Sequence, residues 1–333
     1  MALPREKRPG IGAATASPED GRAFVTIEEL LRLKHRAKGF SFQPRQPVHS
    51  LLTGRHASRL RGRGLNFEEL RHYFEGDDTR TIDWPATARL GVPHVRVFTE
   101  ERDRPVLLVV DQRSTMFFGS RRTMKSVAAA EVAALAAWRV TSLGDRVGAV
   151  VFGDSRMTGV KPGGRDMGAA RVIHEVARQN QALGSSAVVD ARDRLNAALR
   201  YAESMTTHDG LICFVTDASG VDEETDRIVT RLMAHNDAIA AFIFDPLEAD
   251  LPDIGRAAVN SGDRQIEVET ASASLRRRFA ADFAGWRARL AALSRQRTIP
   301  VLPIATDSDV ATQLRDLIGQ RSARGSHRAE ARR

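Results

Sequence analysis

Asp111 heads the residues whose type and spacing could do chemistry. It closes the run Pro105-Val-Leu-Leu-Val-Val-Asp111 and is followed by Gln112, Arg113, Ser114, Thr115 and Met116. Five consecutive apolar residues, three of them valine, predict a strand buried on both faces of a parallel sheet. In an open α/β sheet, ligands bind beyond the carboxyl ends of the strands. A carboxylate there, with Ser114 and Thr115 just after it, sets oxygens where a hard cation could sit. Arg113 stands among them and brings donors only.

A second group lies upstream: Arg71, Tyr73, Asp77, Asp78, Arg80, Asp83, Trp84 and Arg89. Arginines alternate with aspartates in numbers that allow each charge a partner, and bidentate arginine–carboxylate pairs fix geometry as well as charge. We expect a structural network here, a rigid clamp between an N-terminal lobe and the sheet. Catalytic carboxylates need displaced pKa values and an accompanying nucleophile or electrophile. Facing arginines would keep these acids ionised. No nucleophile elbow, His-Glu-x-x-His run or phosphate-binding Gly-x-x-x-x-Gly-Lys-Ser/Thr loop occurs. The nine histidines are scattered, with no pair at ligand spacing.

The elements that must position these groups can be read in order. Thr26 and Glu29 have capping-box spacing and Val25 with Leu30 can form a staple, predicting a helix to about Lys38, where Gly39 stops it. Residues 40–64, with two prolines, three glycines and Arg55, Arg59, Arg61 and Arg63, predict a loop. Phe67, Leu70, Tyr73 and Phe74 recur at helical spacing. Asp83 is placed to cap a short helix with Pro85 in its first turn and Gly91 at its end. Beyond Asp111 we expect a helix over 123–142 and a strand over 146–152 turning into a hairpin strand over 156–160. Helices follow near 167–183 and over 190–205, then a strand, Leu211–Val215, leading to Asp217. Helix 223–235, strand 238–244, strand 265–270, helix 274–294, strand 299–304 and helix 308–317 complete the alternation. The fold class is therefore α/β, a doubly wound, mostly parallel sheet with one antiparallel edge hairpin and an N-terminal extension lobe. The expected divisions are a disordered arm (1–22), a helix-and-motif lobe (23–104), the sheet domain (105–320) and a basic disordered tail (321–333).

Hydrophobic content of 42% and charged content of 28% are ordinary for a soluble globular chain. No run approaches the roughly 18 apolar residues of a membrane span, no secretory leader is visible, and we expect a cytoplasmic protein. The single cysteine, Cys213, excludes an intrachain disulfide and a cysteine metal site. The formal charge is +8, but residues 321–333 hold five arginines against one glutamate, so the tail alone carries +4. With aromatics at 6% and no basic stripe, nucleic-acid binding through Arg55–Arg63 and the tail is a lesser alternative.

The string from Gly64 to Met116, with Arg71-x-Tyr73, Gly76-Asp77-Asp78-x-Arg80-x-Ile82-Asp83-Trp84 and Ala88-Arg89 ahead of Asp111, resembles the domain-of-unknown-function 58 family. The resemblance implies a von Willebrand A-like fold and a gene neighbour of the MoxR-type AAA+ ATPase class as partner. It also implies a metal-site loop, Asp-x-Ser-x-Ser, from which this chain departs at Arg113. Asp111, Thr115 and Asp217 match that site; the threonine of its second element has no clean match, with Ser185 and Ser186 nearest. Three readings stay open: Arg113 takes the place of the ion; Mg2+ or another divalent cation binds with Arg113 turned away; or Asp111 merely caps the following helix. The functional expectation is a non-enzymatic protein-interaction module that recognises its partner through Asp111, Arg113, Ser114, Thr115 and Asp217. A partner carboxylate would pair with the Arg113 guanidinium. The alternatives are a metal-dependent hydrolase and the nucleic-acid reading.

Overall fold

The computed structural model describes residues 22–38, 65–100, 105–183, 191–206, 208–253, 255–261, 264–278, 280–281, 283–285, 288 and 299–318. The chain divides into two units, residues 45–104 and the remainder. The arm 1–21, the Arg55–Arg63 loop, Ser185, Ser186 and the tail 321–333 lie outside the described residues.

The larger unit is built on a six-stranded sheet. In chain order its strands are β3 (Pro105–Asp111), β4 (Arg146–Phe152), β5 (Met157–Gly163), β6 (Leu211–Thr216), β7 (Asp237–Phe244) and β10 (Val301–Ala305). In space they run β10-β7-β6-β3-β4-β5, all parallel except β5, which returns antiparallel to β4. The central strands carry apolar side chains on both faces because both faces are covered. One face carries Val106, Leu108, Val110, Cys213 and Val215, packed with α3 (Lys125–Ser142), α4 (Arg165–Gln181) and residues 310–314. The other carries Leu107, Val109, Ile212 and Phe214 beneath α5 (Ala191–Met205) and α6 (Glu223–Met233). Leu195, Ala198, Leu199 and Ala202 form the buried stripe of α5. Helix α3 is buried nearly all round, and its alanines let neighbours approach from every side. Gly168 does the same for α4: a Cβ there would stand 2.0 Å from the Gly163 carbonyl oxygen.

The N-terminal helix α1 (Ile27–Arg32) falls with this larger unit rather than with residues 65–100, a different division from the expected 23–104 lobe. Both bonds of its capping box form, Glu29 N to Thr26 Oγ1 at 3.2 Å and Thr26 N to Glu29 Oε2 at 2.8 Å. Val25 and Leu30 are both buried. The helix tightens into a 3₁₀ turn over Leu33–Arg36. Arg22 is the described end of the expected arm; its backbone bridges Thr123 and its guanidinium reaches buried Glu131. No described helix is long and apolar enough to cross a membrane.

The smaller unit corrects one expectation. Residues Leu65–His72 form a strand, β1, not a helix, paired antiparallel with β2 (His94–Glu100). The helical spacing of Phe67, Leu70 and Phe74 lost to cross-strand pairing, which satisfies the backbone of both segments at once. Between the strands, α2 (Trp84–Leu90) has Asp83 as its N-cap, Pro85 in its first turn and Gly91 at φ 74° as its C-cap. Strand β9 (Arg264–Glu269), expected within the main alternation, instead pairs antiparallel with β8 (Arg256–Ser261) in a separate two-stranded sheet. The predicted 274–294 helix is helical over 273–278 and at 280, 281, 283–285 and 288; the other residues of that span lie outside the described residues.

Candidate functional site

The crossover from β3 passes through α3 on one face to β4, and that from β6 passes through α6 on the other face to β7. Neighbouring strands whose connections diverge leave a crevice beyond their carboxyl ends, the usual ligand position in such sheets. Asp111 ends β3 and Asp217 follows β6, so the register that sets Val110 opposite Val215 brings the two acids to this point.

Both carboxylates are fully buried and both meet an internal cation. Arg113 turns inward with no exposure: Nε donates to Asp111 Oδ1 at 2.9 Å and Nη2 to Asp111 Oδ2 at 2.5 Å. The same Nη2 donates to the Ser219 carbonyl at 3.0 Å and stands 3.9 Å from Asp217 Oδ1. The guanidinium lies 5.4 Å from the Phe152 ring centre, a cation–π contact. Asp111 also accepts from the Arg113 backbone N–H at 3.1 Å and from Thr216 Oγ1 at 2.7 Å. On the far side of Asp217, Lys125 Nζ is 2.9 Å from Oδ2 and 2.6 Å from Glu248 Oε1.

These distances set the ionisation. Burial alone would raise Asp217, but the charges of Lys125 and then Arg113 outweigh it and hold the acid below its usual range. Burial would likewise lower Arg113 and Lys125, yet Asp111 for the one and Asp217 with Glu248 for the other leave both raised. Burial wins at Glu248, whose pKa is raised. The Cys213 thiol, buried in β6, is pushed up to about 12 and is no nucleophile near neutral pH.

Backbone geometry at the end of β6 is unusual. Ala218 has φ 58°, a left-handed conformation that costs a residue with a Cβ roughly 1–2 kcal/mol. Thr216 Oγ1 accepts from Ala218 N at 3.1 Å and Asp217 Oδ1 accepts from Ser219 N at 2.9 Å, so two local bonds hold it. Such conformations persist where the surroundings over-determine them.

Among the expected interaction residues, Asp111, Arg113 and Asp217 meet. Ser114 contributes its backbone N–H, donated to Asp154 Oδ2 at 2.9 Å. The Thr115 hydroxyl is buried and makes no hydrogen bond. Lys125, Thr216, Ser219 and Glu248 were not anticipated. Lys125 had a signal, a single lysine opening an alanine-rich helix. Glu248 had none pointing to this site, because it arrives on the short helix Pro246–Ala249 after β7, where its place in the sequence fits the capping box with Asp245.

A divalent cation does not fit this arrangement. Mg2+ requires a near-octahedral set of oxygens with no fixed cation at its centre. Here a guanidinium and an ammonium already sit on the carboxylates. At about 4 Å from Arg113, an effective dielectric near 20 gives a repulsion of about 8 kcal/mol on a doubly charged ion. No group of three or more His, Cys, Asp or Glu among the described residues is arranged to hold a metal ion.

In the upstream group one pair joins two of the expected residues and another brings in Arg96, which was not among them. Arg71 grips Asp77 with two bonds of 2.7 and 2.8 Å, and Asp77 Oδ2 also accepts from Phe74 N. Asp83 pairs with Arg96 at 2.8 Å, not with Arg80 or Arg89, because an Ile82–Val95 bridge sets it alongside β2. Asp78 caps the Thr79–Thr81 turn by accepting from Arg80 N. Tyr73 is tied through its backbone N–H to the Pro93 carbonyl, and Trp84 is 67% exposed.

Uncharacterized proteins of Mycobacterium bovis (Mb1516) and Mycobacterium tuberculosis (Rv1480) are each 28% identical over 273 residues, 80% of this chain and 82% of the relative. Among solved structures, the conserved hypothetical protein BatB from Bacteroides thetaiotaomicron aligns with TM-score 0.38 and 13% identity, over 66% of this chain and 99% of its own. An aerotolerance-related membrane protein from Bacteroides fragilis gives TM-score 0.39 and 12% identity, over 65% and 97%. Residues 69–289, which span both the Arg71–Asp77 network and the Asp111–Asp217 cluster, match the family described as "Protein of unknown function DUF58". The chain belongs to the DUF58 family.

Proposed function

We propose that this chain is a non-enzymatic protein-interaction module on a von Willebrand A-like sheet, working with a MoxR-type AAA+ ATPase in complex assembly or chaperone-like remodelling. The observation that carries the non-enzymatic part is the state of the switch point. Its two carboxylates, Asp111 and Asp217, are wholly buried and paired with Arg113 and Lys125, which leaves neither of them a free base nor an activated nucleophile. The ATPase partner rests on the resemblance of the Gly64–Met116 string.

The same geometry revises how recognition would work. A partner carboxylate cannot pair with a guanidinium that has no exposure and is already bonded to Asp111 and Ser219. Recognition at this end of the sheet would use the rim that the buried cluster stiffens.

Titration calorimetry with a MoxR-type ATPase from the same genome tests the reading, alongside its ATP turnover with and without this chain. Saturable binding that changes turnover is expected. No binding, combined with metal-dependent hydrolysis of p-nitrophenyl phosphate that disappears in Asp111→Asn, would instead establish the hydrolase alternative.

A further inference from the structure

We infer that Arg113 and Lys125 are built-in counter-cations that make the sheet top metal-independent, and that Arg113 alone keeps a divalent ion out. The inference stands apart from any ATPase partner. Two buried acids on adjacent strands need positive charge between them. Arg113 supplies it from the β3 side, reaching Asp111 through two nitrogens and Asp217 at 3.9 Å. Lys125 supplies it from α3, at 2.9 Å from Asp217, and shares its charge with Glu248.

Their roles differ. Lys125 lies between Asp217 and Glu248 and so neutralises an acid pair of its own. Arg113 covers Asp111, whose other side-chain partner is the neutral hydroxyl of Thr216. Asp154 adds a further negative field at Arg113; its carboxylate accepts from the Ser114 backbone N–H, while its backbone carbonyl accepts from Arg194 Nε. The buried Thr115 hydroxyl, without a hydrogen bond, is an oxygen left over beside this loop. Removing the guanidinium would therefore leave Asp111, Asp217 and Thr115 as oxygen donors with one positive charge missing. A serine at position 113 would add a fourth oxygen. Such an all-oxygen set is the kind that takes Mg2+ or Mn2+.

Thermal unfolding of the full chain in EDTA and in excess Mg2+ tests this with wild type, Arg113→Ser and Arg113→Met. The wild-type Tm should be the same in both buffers. Arg113→Ser should melt lower in EDTA and regain about 5–10 °C once Mg2+ exceeds its Kd about a hundredfold. Arg113→Met, which adds no oxygen, should stay low. A wild-type Tm that rises with Mg2+, or stoichiometric Mn2+ bound to wild type by electron paramagnetic resonance, would overturn the inference. So would an Arg113→Ser protein that melts equally in both buffers or that fails to fold even with Mg2+ present. Arg113→Lys keeps the charge; it should fold without responding to Mg2+, and a response would equally count against exclusion by charge.

Discussion

The two charged clusters of this chain use the same residue types to opposite physical ends. At the end of β3 and β6, Asp111, Arg113, Asp217 and Lys125 are almost wholly removed from water. Between β1 and β2, Arg71 with Asp77 and Asp83 with Arg96 stay partly solvated, with arginine side chains 38% and 47% exposed. An exposed pair contributes little because water and salt screen it. A buried pair is no better evidence of net stability, but breaking one half leaves a charge that nothing else can solvate. The difference predicts that the charged pairs of the Gly64–Arg89 segment tolerate substitution, while those of the Asp111 loop do not.

The sharpest way to break that contrast is Lys125→Met. It strips Asp217 and Glu248 of their shared cation, and a loss of about 3–5 kcal/mol is expected in urea unfolding. An unchanged urea midpoint would mean that water or a rearranged Arg113 compensates, and the two clusters would no longer differ in kind.

Next in size is the tie between the N-terminal segment and residue 309. Arg36 grips Asp309 with bonds of 2.6 and 2.9 Å. Burial acts to raise Asp309, but Arg36 and the Thr312 N–H outweigh it and bring its pKa down to about 2. A depressed carboxylate stabilises the fold above its unfolded pKa, near 4, and that contribution is lost as pH falls toward 2. Because the partner arginine is substantially solvated, the effect is at most about 2 kcal/mol. Asp309→Asn should flatten the acid limb of stability between about pH 4 and 2. A limb as steep as wild type would move that dependence to Asp217 or Asp245, both of which are also lowered.

Smaller still is Arg71→Ala, expected to cost about 1 kcal/mol or less and to weaken further in high salt. Asp83→Ala, which removes both the α2 cap and the Arg96 pair, should shift Tm by less than roughly half of the Lys125→Met shift. A loss rivalling Lys125→Met at either position would put the energetics of the smaller unit on a par with the sheet top. The least effect runs the other way. Ala218→Gly should stabilise by about 0.5–1 kcal/mol by relieving the left-handed backbone, offset by glycine's greater unfolded-state freedom. Destabilisation there would show that the Ala218 methyl packs more than it strains.

Much of the larger unit was legible because local rules and global burial agree there. Buried strands β3, β4, β6 and β7 read as short apolar runs, and the amphipathic α5 as a 3.6-residue period. The strand β1 was misread because Leu70, Tyr73 and Phe74 satisfy a helical spacing, while β2, its partner more than twenty residues away, gave no signal of pairing. The separate β8–β9 sheet was missed for a different reason: hairpin strands and strands of a main sheet share one composition.

At the site, the amino-acid order determined that Asp111 and Asp217 end apolar strands and that Arg113 interrupts an oxygen-rich loop. Chain order also determined the Thr26–Glu29 and Asp83 caps, since those bonds span only a few residues. Only tertiary structure decided where the Arg113 guanidinium points, that Lys125 joins it, and that Glu248 closes the cluster. Those contacts link residues about 90 to 125 positions apart. Such long-range pairs depend on strand order and register, which no local pattern encodes.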